Sequence, residues 1–242
     1  MQVLILAGGL GTRMRSVRGD LPKALLPIHG KPFLAYQLAW LARQGVRSVL
    51  LAVGYRADLI RAFAGDGSAF GLSIAYSDEG TTLRGTAGAI RQAADSGRLD
   101  DSFFVLYGDS YLPIDIAPVW EASGRGRVAT MTVLRNDGRW DKSNVVYEDG
   151  RVLRYDKRCP DPGAEGMKHI DYGLLVLSRG LICERVAAGR IMDLADVLAP
   201  MSREGLLGGY EVDKRFYEIG SVEGLKDFSD YVARTGLRTE SR

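Results

Sequence analysis

Short apolar runs that stop at glycine, separated by stretches of helical spacing, constrain this chain more than any other feature. Residues 2–6 (QVLIL) run directly into Gly8 and Gly9. Residues 48–53 (SVLLAV) end at Gly54, and residues 102–107 (SFFVLY) end at Gly108. A short apolar run cut off by glycine reads as a strand buried on both faces. Residues 72–76 read as a further strand. Between these runs, residues 33–44 carry Phe33, Leu34, Leu38 and Leu41 at helical spacing, with Pro32 before them and Gly45 after. Helices are also expected over 57–63 and 87–94. Such alternation predicts an α/β fold: a Rossmann-like, mostly parallel central sheet with helices on both faces.

The second half changes character. Residues 128–134, 145–155 and 172–177 read as strands, with a turn signal at Asp149-Gly150. Helices are expected over 194–199 and 222–234. These strands predict antiparallel additions to the sheet. Residues 158–168 (RCPDPGAEGMK) form the most loop-like stretch. No repeat, low-complexity tract or linker interrupts residues 1–242, so a single domain is expected.

Composition excludes several functions. The 32 basic and 30 acidic residues leave a formal net charge of +2, which is no footprint for nucleic acid or an anionic membrane. No window is long and apolar enough to cross a bilayer, and residues 1–6 lack the basic leader of a signal peptide. Cys159 and Cys183 form no CxxC pair, and His29 and His169 lack partners at ligand spacing. Reduced thiols and a cytoplasmic setting are expected. Exposed apolar residues of the second half would carry self-association into a homo-oligomer, which the sequence leaves open.

The chemistry is concentrated in Leu6-Ala7-Gly8-Gly9-Leu10-Gly11-Thr12-Arg13, followed by Leu21-Pro22-Lys23. Glycines let backbone N–H groups close on phosphate oxygens without a Cβ in the way. Arg13 supplies a fork of donors suited to phosphate, and Lys23 adds a point charge. The block is not a Walker loop, because GxxxxGK[ST] is absent. Nor is it a dinucleotide fingerprint, because the third glycine is missing. Asp109 directly follows the strand SFFVLY, where a carboxylate can face a bound polyphosphate and its metal.

AGGLGTRM, LPKALLPI and Lys31-Pro32-Phe33 resemble the sugar-phosphate nucleotidyltransferases, which include the heptose- and mannose-1-phosphate guanylyltransferases. The resemblance continues through Gly85-Thr86-Ala87-Gly88, Gly108-Asp109-Ser110, Asp156-Lys157 and Tyr217-Glu218-Ile219-Gly220-Ser221. It implies attack of a sugar 1-phosphate oxygen on the α-phosphorus of a nucleoside triphosphate, with pyrophosphate leaving. It assigns residues 1–111 to a nucleotide-binding half and 112–242 to a sugar-phosphate-binding half. Leu6, Ala7, Gly8, Gly9, Gly11 and Thr12 would hold the triphosphate, and Gly85, Thr86 and Gly88 the nucleobase and ribose. Arg13, Lys23 and Asp109 would be catalytic. Asp109 and Glu218 would hold Mg2+, with Glu218 standing where the family carries an aspartate. Lys157, Asp171, Tyr172 and Gly173 would meet the sugar phosphate, although no proline follows Lys157 as it does in the family.

The motif wording points to GTP with a manno-configured hexose or heptose 1-phosphate. Three alternatives stand beside it: a UTP- or dTTP-dependent sugar-1-phosphate enzyme, a nucleotidyltransferase for a non-sugar phosphate acceptor, and a non-catalytic nucleotide-sugar-binding subunit.

Overall fold

The computed structural model describes residues 1–11, 19–124 and 128–239. Along them lie strands β1 (Gln2–Leu6), β2 (Pro27–Ile28), β3 (Lys31–Pro32), β4 (Ser48–Val53), β5 (Ser73–Asp78), β6 (Ser102–Tyr107), β7 (Ser110–Tyr111), β8 (Ala129–Arg135), β9 (Val145–Glu148), β10 (Arg151–Tyr155), β11 (His169–Ser178), β12 (Leu207–Val212) and β13 (Tyr217–Glu218). The fold is α/β with a mixed sheet. The chain divides into two compact units. Unit 1 holds Met1–Leu83, Leu106–Leu112 and Phe216–Arg242; unit 2 holds Arg84–Val105 and Pro113–Arg215.

In unit 1, β4 pairs in parallel with β1 and with β5, in register from Gln2↔Ser48 and Ser48↔Ser73. Consecutive residues of β1 and β4 are buried, as expected of strands covered on both faces. The helix Phe33–Arg43 buries every residue from Phe33 to Leu41. It stops at Gly45, whose φ of 76° lets the Val46 N–H turn back to Leu41 O. The helix Val222–Thr235 starts where Ser221 Oγ accepts from the Gly224 N–H. Its Phe228 ring lies 5.1 Å from Phe33, 5.5 Å from Tyr36 and 5.0 Å from Tyr111. This aromatic cluster is the centre of the unit's core.

From β6, whose residues up to Val105 fall in unit 2, the strand order runs β6-β11-β8-β12-β10-β9. β11–β8, β10–β12 and β10–β9 are antiparallel, whereas β12 lies parallel to β8. The second-half strands are therefore not purely antiparallel additions. β12 (LGGYEV) carries two glycines and little apolar signal, so its place in the sheet comes from pairing rather than local preference. The β9–β10 hairpin turns at Asp149 and Gly150, both at positive φ (46° and 76°), as the sequence predicts.

Two short helices, Ala117–Ser123 and Arg179–Arg185, carry too few residues for their periodicity to be read in the sequence. The helix expected over 194–199 runs instead from Ala195 to Arg203, through Pro200. Burial of Val197, Leu198 and Met201 outweighs the backbone bond that the proline removes.

Candidate functional site

In unit 1, several strand ends converge. The Ala7 N–H donates to Ala52 O at the end of β4, and the Glu79 N–H donates to Val53 O. Gly8 sits among these ends: a Cβ there would come 2.7 Å from Glu79 Oε1 and 3.3 Å from Gly54 N. Gly9 has open space around it, and Gly11 adopts a φ of 54°. Leu6 closes β1, and Ala7, Gly8, Gly9 and Gly11 follow it at the carboxyl end of that strand. Thr12 and Arg13 lie outside the described residues.

The turn carrying Asp109 is fastened to this loop. The Gly108 N–H donates to Leu6 O at 3.1 Å, and a Cβ at Gly108 would fall 2.3 Å from that same oxygen. Only glycine permits the approach. The Asp109 carbonyl accepts from the Ile219 N–H at 2.9 Å, and its Oδ2 accepts from Lys23 Nζ at 2.7 Å. Lys23 opens a short 3-10 turn, Lys23–Leu25, which is anchored by buried Ala24 within it and buried Leu26 after it. The side chains of Lys23 and Asp109 are 16% and 30% exposed, so the pair is sheltered yet reachable.

Glu218 stands on β13, which pairs antiparallel with β7 so that Glu218 faces Ser110. It therefore stands next to the Asp109 turn, and its carboxylate lies over Gly220, where a Cβ would be 3.3 Å from Glu218 Oε1. Burial pushes the phenol of neighbouring Tyr111 above its ordinary range. Among the described residues no group of three or more His, Cys, Asp or Glu is placed to hold a metal ion by itself. A cation held by Asp109 and Glu218 would complete its shell with phosphate oxygens and water, and that donor set fits Mg2+.

In unit 2, the helix Gly85–Asp95 opens with the GTAG block. This helix has no side-chain cap, and Thr86 Oγ1 accepts from the Leu194 N–H at 2.6 Å. The Ala87 N–H donates to Met192 O at 2.9 Å, so the chain itself takes up this helix N-terminus. A Cβ at Gly85 would meet Met192 O at 2.6 Å, and one at Gly88 would meet Arg190 O at 2.4 Å. The small residues of this block are thus required by residues 190–192, a partner segment that nothing local in the sequence signals.

Lys157 follows β10, and its Nζ lies 3.7 Å from Asp193 Oδ2. Asp171 and Gly173 sit at an irregularity in β11, where pairing with β8 shifts register between Asp171 and Leu175. Gly173 takes a φ of 91° there, and its N–H donates to Asp171 Oδ1 at 3.0 Å. Tyr155 Oη donates to Asp171 Oδ2 at 3.3 Å. Tyr172 is 1% exposed and belongs to the core of the unit.

The remaining sulfur and imidazole groups stand apart from this chemistry. Cys159 is buried, Cys183 is exposed, and both are free. His29 Nε2 lies 2.9 Å from Ser229 O, and His169 Nε2 lies 3.0 Å from Glu211 Oε1. Two residues near the site escaped the sequence reading. Glu79 has a weak signal, a carboxylate directly after a strand. Gln37 has another, an amide inside an apolar helix.

Comparison with known proteins adds the family. A profile of the MobA-like NTP transferase domain matches residues 3–188. The chain is 29% identical over 222 residues to D-glycero-alpha-D-manno-heptose 1-phosphate guanylyltransferase of Aneurinibacillus thermoaerophilus, covering 91% of this chain and 93% of that protein. It is 33% identical over 192 residues to mannose-1-phosphate guanylyltransferase of Mycobacterium tuberculosis, covering 78% of this chain and 52% of that protein, about half its length. Its fold matches the crystal structure of HddC from Yersinia pseudotuberculosis with a TM-score of 0.80 and 27% identity, over 95% of this chain and 98% of that one. HddC has also been solved in complex with GMP-PN. The chain therefore belongs to the MobA-like NTP transferase domain family and, within it, to the sugar-phosphate nucleotidyltransferases.

Proposed function

We propose that this enzyme condenses GTP with a manno-configured hexose or heptose 1-phosphate, giving a GDP-sugar and pyrophosphate. The observation that carries the reading is the contact of Lys23 Nζ with Asp109 Oδ2 at 2.7 Å, beside the glycine loop that leaves β1. The pair supplies both charges that a metal–triphosphate complex requires: a carboxylate for the cation and an ammonium for phosphate. The names of the heptose and mannose relatives support the sugar, and the GMP-PN complex of HddC supports the base.

In this reading residues 1–111 form a Rossmann-like nucleotide-binding half, and residues 112–242 form a sugar-phosphate-binding half of one domain. Leu6, Ala7, Gly8, Gly9, Gly11 and Thr12 wrap the triphosphate, and Arg13 neutralises the departing pyrophosphate. Lys23 exchanges its contact with Asp109 for oxygens of the α-phosphate and the incoming sugar phosphate. Gly85, Thr86 and Gly88 shape the nucleobase side through their grip on residues 190–194. Lys157 grips the sugar phosphate, and Asp171 and Gly173 form the wall toward the sugar, with Tyr172 packed behind them in the core. Two anions are brought together, so positioning and charge neutralisation supply most of the rate, and no covalent intermediate is required.

Nucleotidyltransferases of this family generally use a divalent metal. We assign Mg2+, held by Asp109 and Glu218; when bound it neutralises phosphate charge and orients the triphosphate. A cytoplasmic setting accords with the two free thiols. Among the described residues no helix is long and apolar enough to cross a membrane.

The test is a grid of GTP, UTP, dTTP, CTP and ATP against mannose, glucose and heptose 1-phosphates, with pyrophosphate release followed in Mg2+. Turnover is expected with GTP and a manno-configured acceptor. Turnover confined to UTP or dTTP would move the base assignment. No turnover with any pair from folded protein would remove the reading altogether.

A further inference from the structure

Gln37 stands in the middle of the buried run Phe33 to Leu41 and is itself fully buried. Its Nε2 donates to Tyr107 O at 3.1 Å and to Ser110 O at 2.8 Å. These two carbonyls flank Gly108 and Asp109. Only the amide nitrogen can donate to two carbonyls, so the contacts themselves orient the amide. Leucine or methionine would fill the same space in this apolar helix with no polar group to satisfy, so a glutamine here is a costly choice for packing alone. Other bonds restrain the turn at single points: the Gly108 N–H to Leu6 O, the Ile219 N–H to Asp109 O, and Lys23 Nζ to Asp109 Oδ2. Gln37 instead ties the two arms of the turn to each other.

We propose that Gln37 is a positioning residue for the Asp109 carboxylate. By pinning the carbonyls of residues 107 and 110 to one amide, it sets the direction in which Asp109 leaves the turn, and with it the cation site. It acts through Asp109 and is not itself a ligand. The inference rests on the reading of Asp109 as a metal carboxylate.

Gln37→Met keeps the volume and removes the donor. Leu38→Ala, at a fully buried neighbour on the same helix, weakens packing while keeping the Gln37 donor and controls for lost stability. Mn2+ titrated into each protein with GTP, followed by electron paramagnetic resonance, reads cation binding directly; pyrophosphate release reads kcat and KM.

Gln37→Met is expected to raise the Mn2+ concentration for half-saturation about tenfold, with KM for GTP within about twofold. Leu38→Ala is expected to keep the wild-type Mn2+ affinity. Unchanged Mn2+ affinity in Gln37→Met, or an equal change in both variants, overturns the inference. Should Gln37→Met fail to fold, Gln37→Asn, one methylene shorter with its donor retained, is measured in the same way. Weakened Mn2+ binding then supports the inference, and wild-type binding overturns it. Asp109→Asn separates the two levels. If that variant binds Mn2+ as the wild type does, the metal assignment itself falls. If it loses Mn2+ while Gln37→Met keeps it, only the positioning role falls.

Discussion

At the scale of single residues, the contact between Lys23 and Asp109 matters more for charge placement than for stability. A partly exposed ion pair contributes only about 0–1 kcal/mol to folding. The same carboxylate, placed on a turn fastened to Leu6, would be needed each time a metal–triphosphate complex forms. Asp109→Asn is therefore expected to cut pyrophosphate release at least about a hundredfold, while circular dichroism and the melting temperature stay close to wild type. Activity near the wild-type level would remove Asp109 from the chemistry. The two members of this pair were legible in the sequence because each follows a local signal, Lys23 the LPK block and Asp109 a strand that stops. Gln37 was not legible, because its acceptors lie 70 and 73 positions away.

At the scale of elements, the start of the helix Gly85–Asp95 shows how a motif can mean more than its local reading. Alanine is the better helix former than glycine by about 1 kcal/mol, so Gly88→Ala would stabilise an isolated helix. Here a Cβ would fall 2.4 Å from Arg190 O, a backbone atom that cannot swing aside. Overpacking of this kind costs about 1–3 kcal/mol, so the clash wins. Gly88→Ala is expected to lower unfolding midpoints in urea. A rise in midpoint would show that residues 190–192 yield easily. The bond from the Leu194 N–H to Thr86 Oγ1 spans 108 positions. A threonine after glycine looks locally like a cap, so the true partner was hidden. By contrast the Asp149-Gly150 hairpin was readable, since both positive φ values are demanded by the turn itself.

At the scale of the molecule, each unit is held by a core assembled from remote stretches. In unit 1 the chain leaves after Leu83 and returns for Leu106–Leu112 and again from Phe216 onward. Phe228, fully buried, joins the last stretch to Phe33 and Tyr36 of the first and Tyr111 of the second. Phe228→Ala is expected to cost about 3–5 kcal/mol, a large part of the roughly 5–15 kcal/mol that stabilises a domain. Chemical denaturation would measure it, and a loss below about 1 kcal/mol would show that the helix Val222–Thr235 is not anchored by this ring. In unit 2 the parallel seating of β12 against β8 has no counterpart in the residues of β12 taken alone.

The sequence by itself determined the place of most central strands, of the longer helices and of the Asp149-Gly150 turn, and it singled out the loops proposed to carry phosphate chemistry. Burial on two faces, helical spacing and chain reversal are properties of contiguous residues, so QVLIL, SVLLAV and Asp149-Gly150 announce themselves. Only the tertiary structure decided what surrounds those loops: that Lys23 reaches Asp109, that Gln37 closes the Asp109 turn, and that residues 190–194 occupy the start of the GTAG helix. Each of these joins a donor to an acceptor far away along the chain, and no local pattern of propensity encodes such a meeting.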